Sequence, residues 1–133
     1  MHENVLKIML TCVNSQVSPS LIQLIRGYPG YDVRVIGVDT VSLNDNLGKC
    51  FCDQCYQVPL GSDKDYITAI KNIIRENDIR LIFPGSDEEC LELSKYRDEL
   101  KNLDCEVCCS PYEVILLASD KYELMKKLKD NGI

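Results

Sequence analysis

The stretch "IRLIFPGSDEEC", residues 79–90, changes character in its middle. Its first half is a short, bounded apolar run, the length of a strand rather than of a helix. Pro84 and Gly85 stop that run abruptly. Ser86 then offers a side-chain cap, Glu89 follows three residues on, and a helical pattern begins. A buried strand feeding directly into a capped helix is half of a βαβ unit, and the rest of the chain continues the same alternation without an internal sequence repeat.

Upstream, "VLKIMLTC" (5–12) reads as a buried strand. "VSPSLIQLIRGYPG" (17–30) reads as a helix with Val17, Leu21, Ile22, Leu24 and Ile25 at helical spacing, Ser18 as its cap and Pro19 at its first position. Gly27 and the Pro29–Gly30 pair end it. "YDVRVIGVD" (31–39) is a second strand that finishes in an acid. Residues 40–53 are polar and irregular, and "CYQVP" (55–59) is short and strand-like. Ser62 and Asp65 resemble a capping box opening a helix with Tyr66, Ile67, Ile70, Ile73 and Ile74 on one face.

Downstream, residues 85–103 read as one helix and "CEVCC" (105–109) as a last short strand. Ser110, Pro111 and Glu113 form another capping box before a short helix. A final helix from about Ser119 carries Tyr122, Leu124, Met125 and Leu128. Strands separated by helical segments pair in parallel through right-handed crossovers. The expected fold is therefore α/β: a small doubly wound, mainly parallel five-stranded sheet with helices on both faces. Ligands of such sheets sit beyond the strand C-termini. Here that edge collects the loops Thr11–Ser18, Asp39–Asp45, Pro84–Glu89 and Ser110–Pro111.

Composition narrows the function. At 133 residues the chain is the size of one ordinary domain. A formal charge of −6 with no long basic run argues against a general nucleic-acid binder. The apolar run near the N-terminus is too short for a signal-peptide core or a membrane span. Eight cysteines without a secretion signal suggest a reducing cytoplasm and free thiols. The one histidine, His2, removes Ser-His-Asp and Cys-His machinery and leaves any zinc site to cysteine or carboxylate.

Cys50, Cys52 and Cys55 could supply three thiolates, and Cys105 with Cys108 a second pair. Residues three apart on a strand face opposite ways, so Cys105 and Cys108 cannot grip one ion. Packing is the favoured reading of these thiols, no metal site is expected, and a redox role stays open. The first turn, "TCVNSQVSPS", has no glycine, unlike a dinucleotide fingerprint; Asn14, Ser15, Gln16 and Ser18 can still bond a ligand or cap the helix. Asp39 stands where a ribose-binding acid would, or satisfies a turn. The acids Asp87, Glu88 and Glu89 complement a helix dipole or line a pocket, and both readings stand. Lys121 opens a helix, where a cation opposes the dipole, so it is either part of a solvated face or the partner of an anion.

Taken in order, the strand ending "GVD", then "DxxYxVP", "DYIxxI", "IFPGSDEE", "CSPYEVI" and "SDKYELMKKLKDNGI", resemble the N-terminal, pre-ATP-grasp domain of ATP-grasp ligases. The resemblance spans nearly the whole chain and is greatest to the carbamoyl-phosphate-synthase-like subgroup. It implies a parent enzyme that uses ATP and Mg to activate a small carboxylate as an acyl phosphate for attack by an amine or another nucleophile. Residues 1–118 would be the pre-ATP-grasp domain and 119–133 a helix leading into an ATP-grasp domain, in the same or an adjacent chain. The substrate wall would be Asn14, Ser15, Gln16, Val17, Asp39, Gly85, Ser86, Asp87 and Glu89. Lys121 would match the lysine that reaches ATP phosphate. The first turn is glycine-rich in many relatives, and "TCVNSQVS" is not. The resemblance also implies that this stretch alone is not catalytic, carries no catalytic residue and holds ATP weakly if at all; a homodimer is allowed. The competing classes are a stand-alone Rossmann-like module for a small ligand or partner, and a cysteine-metal protein.

Overall fold

A computed structural model describes residues 5–133, so His2 lies outside the described residues. Five strands form one sheet: β1 (Val5–Leu10), β2 (Asp32–Asp39), β3 (Gln54–Gln57), β4 (Leu81–Phe83) and β5 (Glu106–Val107). Their order is β3-β2-β1-β4-β5, and every neighbouring pair is parallel. The helices are α1 (Ser18–Arg26), α2 (Tyr66–Asn77), α3 (Asp87–Lys95), α4 (Arg97–Lys101), α5 (Tyr112–Ser119) and α6 (Lys121–Asp130).

The two-residue period of the strands sorts the core into two layers. Ile8, Leu10, Val33 and Val35 pack with Ile22 on one face of the sheet. Met9, Ile36, Val38, Ile82 and Val107 pack with Ile67, Ile70, Ile73, Ile74 and Leu93 on the other. Burying each isoleucine of α2 contributes about 1.5–3 kcal/mol, so that helix holds the second layer. On the first face α1 leaves an apolar cavity of about 390 Å³ beside β4, bordered by Leu6, Leu24, Tyr28, Tyr31, Leu81 and Phe83.

The elements differ locally from the sequence reading, mostly at their ends. The predicted α1 cap is Ser18, but Val17 precedes the helix and gives no side-chain cap; Ser18 is already helical and buried. Its hydroxyl faces Ser15 Oγ at 2.9 Å instead. Asp65 precedes α2 without capping it, so the Ser62/Asp65 box does not form. The Ser110/Glu113 box does not form either, because Pro111 takes the cap position and its side chain accepts nothing. The single helix predicted over 85–103 breaks at Tyr96 into α3 and α4. The strand predicted over 105–109 shortens to Glu106–Val107, paired with Leu81 and Ile82, and Cys108 N adds one bond to Ile82 O at 2.8 Å. The irregular stretch holds a 3₁₀ turn, Leu47–Cys50, which Asn46 caps by accepting from Gly48 N.

Asp53 explains how that stretch rejoins the sheet. Its Oδ2 accepts from Val35 N at 2.7 Å and from Arg26 Nη2 at 2.6 Å, and its Oδ1 from Arg34 Nη1 at 3.4 Å. Burial pushes this carboxyl up, but the Val35 N–H and the Arg26 guanidinium together hold it below the usual carboxylate range. One side chain thereby ties β3's approach to β2 and to the end of α1.

Candidate functional site at the carboxyl edge of the sheet

The β1 and β4 ends meet at the point where the chain reverses its winding. Thr11 N donates to Phe83 O at 3.1 Å, and Gly85 N donates to Thr11 Oγ1 at 2.8 Å. A side chain at Gly85 would bring its Cβ to 2.2 Å from Thr11 O and 2.8 Å from Cys12 Cβ. Glycine is required there by close approach of two backbones rather than by an unusual φ. The first turn also contains Cys12 at φ 51°, a left-handed residue that is not glycine.

Two acids organise this edge. Asp39 is 6% exposed; its Oδ2 accepts from Asn14 N at 2.8 Å and its Oδ1 from Val41 N at 3.1 Å. Asn14 in turn accepts from Leu47 N through Oδ1 at 2.8 Å, which fastens the first turn to the β2–β3 connection. Glu89 is also 6% exposed. Its Oε2 accepts from Thr11 Oγ1 at 2.8 Å and from Ser86 Oγ at 2.9 Å, and its Oε1 from Tyr66 OH at 3.1 Å. Burial pushes the Glu89 carboxyl up, against the pull of those three hydroxyls. Ser86 caps α3 by accepting from Glu89 N at 3.3 Å, so half of the expected capping box forms; the Glu89 side chain returns to the serine hydroxyl rather than to its N–H.

The edge therefore has a buried layer and an open layer. Asp39 and Glu89 spend both oxygens inside the protein. Gln16, Val17, Gly85 and Asp87 are exposed, and Asn14, Ser15 and Ser86 are half-buried. Lys121 is the first residue of α6 and is exposed. No hydrogen bond or ion pair among the described residues joins it to this edge. Asp120 caps α6 beneath it, accepting from Tyr122 N at 3.0 Å and Glu123 N at 3.1 Å.

Thr11 and Tyr66 are the members that sequence reasoning did not single out as functional. Tyr66 reads as one more apolar residue of the α2 stripe, and its hydroxyl partner depends on where α3 docks. The cysteines are dispersed. Cys105 is buried and Cys108 exposed, Cys52 and Cys55 are half-buried, and Cys50 is exposed. Burial pushes the Cys52 and Cys105 thiols up to about 12. Among the described residues no group of three or more His, Cys, Asp or Glu side chains is placed to hold a metal ion.

The family model for the PylC-like N-terminal domain matches residues 8–108, which run from β1 through β5 and take in the whole edge just described. The chain belongs to the PylC-like N-terminal domain family. No curated protein sequence matches this PylC-like domain. Solved structures do. The biotin carboxylase subunit of pyruvate carboxylase superposes with a TM-score of 0.68 at 14% identity, over 95% of this chain and 28% of that one. The biotin carboxylase domain of a single-chain bacterial carboxylase gives 0.67 at 11%, over 96% and 29%. The biotin carboxylase domain of Hydrogenobacter thermophilus 2-oxoglutarate carboxylase, a dimer in complex with MgADP, ADP and bicarbonate, gives 0.67 at 13%, over 95% and 27%. At such identities the likeness is one of fold. The PylC-like domain spans less than a third of each of these chains. No helix among the described residues is long and apolar enough to cross a membrane.

Proposed function

We propose that this PylC-like domain forms the substrate side of an ATP-dependent carboxylate ligase, of the carboxylate–amine or carbamoyl-phosphate-synthase-like kind, that works through an acyl phosphate. The observation that carries this reading is the family match over residues 8–108, laid on a sheet whose carboxyl edge is braced from below and open above. On this reading Asp39 and Glu89 are the bracing, while Asn14, Ser15, Gln16, Val17, Gly85, Ser86 and Asp87 face the carboxylate substrate.

The reaction also needs a nucleotide and a metal. On this reading Lys121, an exposed cation at the first position of α6, reaches the nucleotide phosphate. The described residues offer no carboxylate cluster for Mg. ATP and Mg would therefore be held mainly by an ATP-grasp domain. That domain has a surface to meet: neither α5 nor α6 buries a residue, and Val114, Leu116, Tyr122 and Met125 are 52%, 47%, 76% and 65% exposed. Residues 1–118 would then be the substrate-side domain and 119–133 the connection.

The test is ADP release by the protein that carries this domain together with its ATP-grasp partner, over a panel of small carboxylates with and without amines, with hydroxylamine trapping of the acyl phosphate. Carboxylate-dependent ADP and a hydroxamate are expected, and the 133-residue chain alone should turn over nothing. Absence of carboxylate-dependent ADP across the panel refutes the reading.

A further inference from the structure

Glu89 is a buried carboxylate with no cation beside it. No lysine or arginine among the described residues makes an ion pair with it. The titratable groups that face it are Cys12 from the first turn, Asp39 from the end of β2 and Tyr66 from α2; Glu92 of α3 lies near Tyr66. Three hydroxyls alone support it, each from a different element: Thr11 after β1, Ser86 before α3, and Tyr66 at the start of α2.

The proton count in this cluster is determined. A hydroxyl has one proton to donate. Thr11 Oγ1 accepts from Gly85 N and Ser86 Oγ accepts from Glu89 N, so both donate their single proton to Glu89 Oε2. Tyr66 OH has no other partner among the described residues and donates to Oε1. We infer that Glu89 is a positioning residue whose two oxygens do separate work: Oε2 clamps the Pro84–Ser86 loop against the end of β1, and Oε1 takes up a proton without releasing the clamp.

The separation follows from occupancy. Oε2 already accepts two hydrogen bonds, so an added proton belongs on the open lone pair of Oε1, beside the bond from Tyr66. The tyrosine O–H then ends on a neutral oxygen and its bond weakens, while Thr11 and Ser86 keep their acceptor. Protonation thus loosens the link to α2 and leaves the loop in place. A glutamine goes one step further, with its carbonyl oxygen in the Oε2 position and an amide that cannot accept from Tyr66 but can donate to it. The role of the loop rests on the substrate-wall reading above; its geometry is tested without any ligand, so the two can fail separately.

The experiment is amide exchange and chemical shift on the ¹⁵N-labelled chain. Ile82, a β4 residue paired with β1 and β5, reports the core. Gly85 reports the clamp. Glu89→Gln and Tyr66→Phe should keep Gly85 protection within about threefold of the parent. Thr11→Val and Glu89→Ala should lower it at least about tenfold with Ile82 unchanged, as expected for loss of one local hydrogen bond. On lowering pH, the Tyr66 ring carbon should shift together with the Glu89 carboxyl carbon, while the Gly85 amide stays put. Loss of Gly85 protection in Glu89→Gln, release of Gly85 by Tyr66→Phe, or a Gly85 amide that titrates with Glu89 each overturns the inference. The first two hold even if Glu89→Ala fails to fold.

Discussion

Replacing Gly85 by alanine should be among the most damaging single-methyl additions to this domain. The new Cβ would lie 2.2 Å from Thr11 O, about 1 Å inside an ordinary C···O approach of about 3.3 Å. Overpacking costs about 1–3 kcal/mol where side chains can yield, and here the obstacle is backbone at the end of a central strand, so the upper end applies. A loop displaced by about 1 Å also loses the 2.8 Å bond from Gly85 N to Thr11 Oγ1, about 1 kcal/mol more. The expected loss is about 4 kcal/mol, against about 5–15 kcal/mol for a whole domain. With a urea slope of about 2 kcal/mol/M the unfolding midpoint falls by about 2 M. Gly27→Ala is the matched control, because a Cβ there meets only Gln23 O at 3.4 Å and Leu24 O at 3.5 Å. Helical φ suits alanine, so this change should be neutral or stabilising by up to about 1 kcal/mol. Equal midpoints for the two variants, at unchanged slope, would refute the close-approach argument.

Cys12→Gly should be neutral to about 1 kcal/mol stabilising, since it relieves the left-handed strain at φ 51° and gives up only a half-buried thiol; a loss above about 1 kcal/mol in urea melts counts against it. Asp53→Asn should weaken the domain above the ordinary aspartate range and change it little below. The folded carboxyl is depressed, so its contribution is present above the unfolded pKa near 3.9 and disappears as pH falls through the folded value. A stability–pH curve for the variant parallel to the parent's between about pH 5 and 2 would contradict this. Thiol labelling of the folded chain should reach the exposed Cys50 and Cys108 first and Cys105 only on unfolding; early labelling of Cys105 would disprove its burial. Lys121→Ala should leave thermal stability unchanged or raise it by a few tenths of a kcal/mol, because a cation at a helix start opposes the dipole, and should weaken nucleotide binding in the ATP-grasp assembly. Unaltered nucleotide affinity there would remove Lys121 from the proposed site.

The sequence by itself determined the layers of this protein. Strand and helix periods are local properties, and "VLKIMLTC", "YDVRVIGVD" and "IRLIFP" alternate with helical stripes clearly enough to require a parallel sheet and to place the loops that face a ligand. Ser86 and Gly85 were legible for the same reason, because a cap and a chain stop act on their own neighbours. The helix starts expected at Ser18, Ser62 and Ser110 differ in the structure: Ser18 turns its hydroxyl to Ser15, and Asp65 and Pro111 take the positions before α2 and α5 without capping them. Only the tertiary structure decided what the acids do. Asp53 bonds Val35 and Arg26, Asp39 bonds Asn14, and Glu89 collects Thr11, Ser86 and Tyr66, with sequence separations from 3 to 78 residues. Burial, hydrogen-bond saturation and the displacement of a carboxyl's proton affinity belong to groups brought together by folding, and no local pattern encodes them.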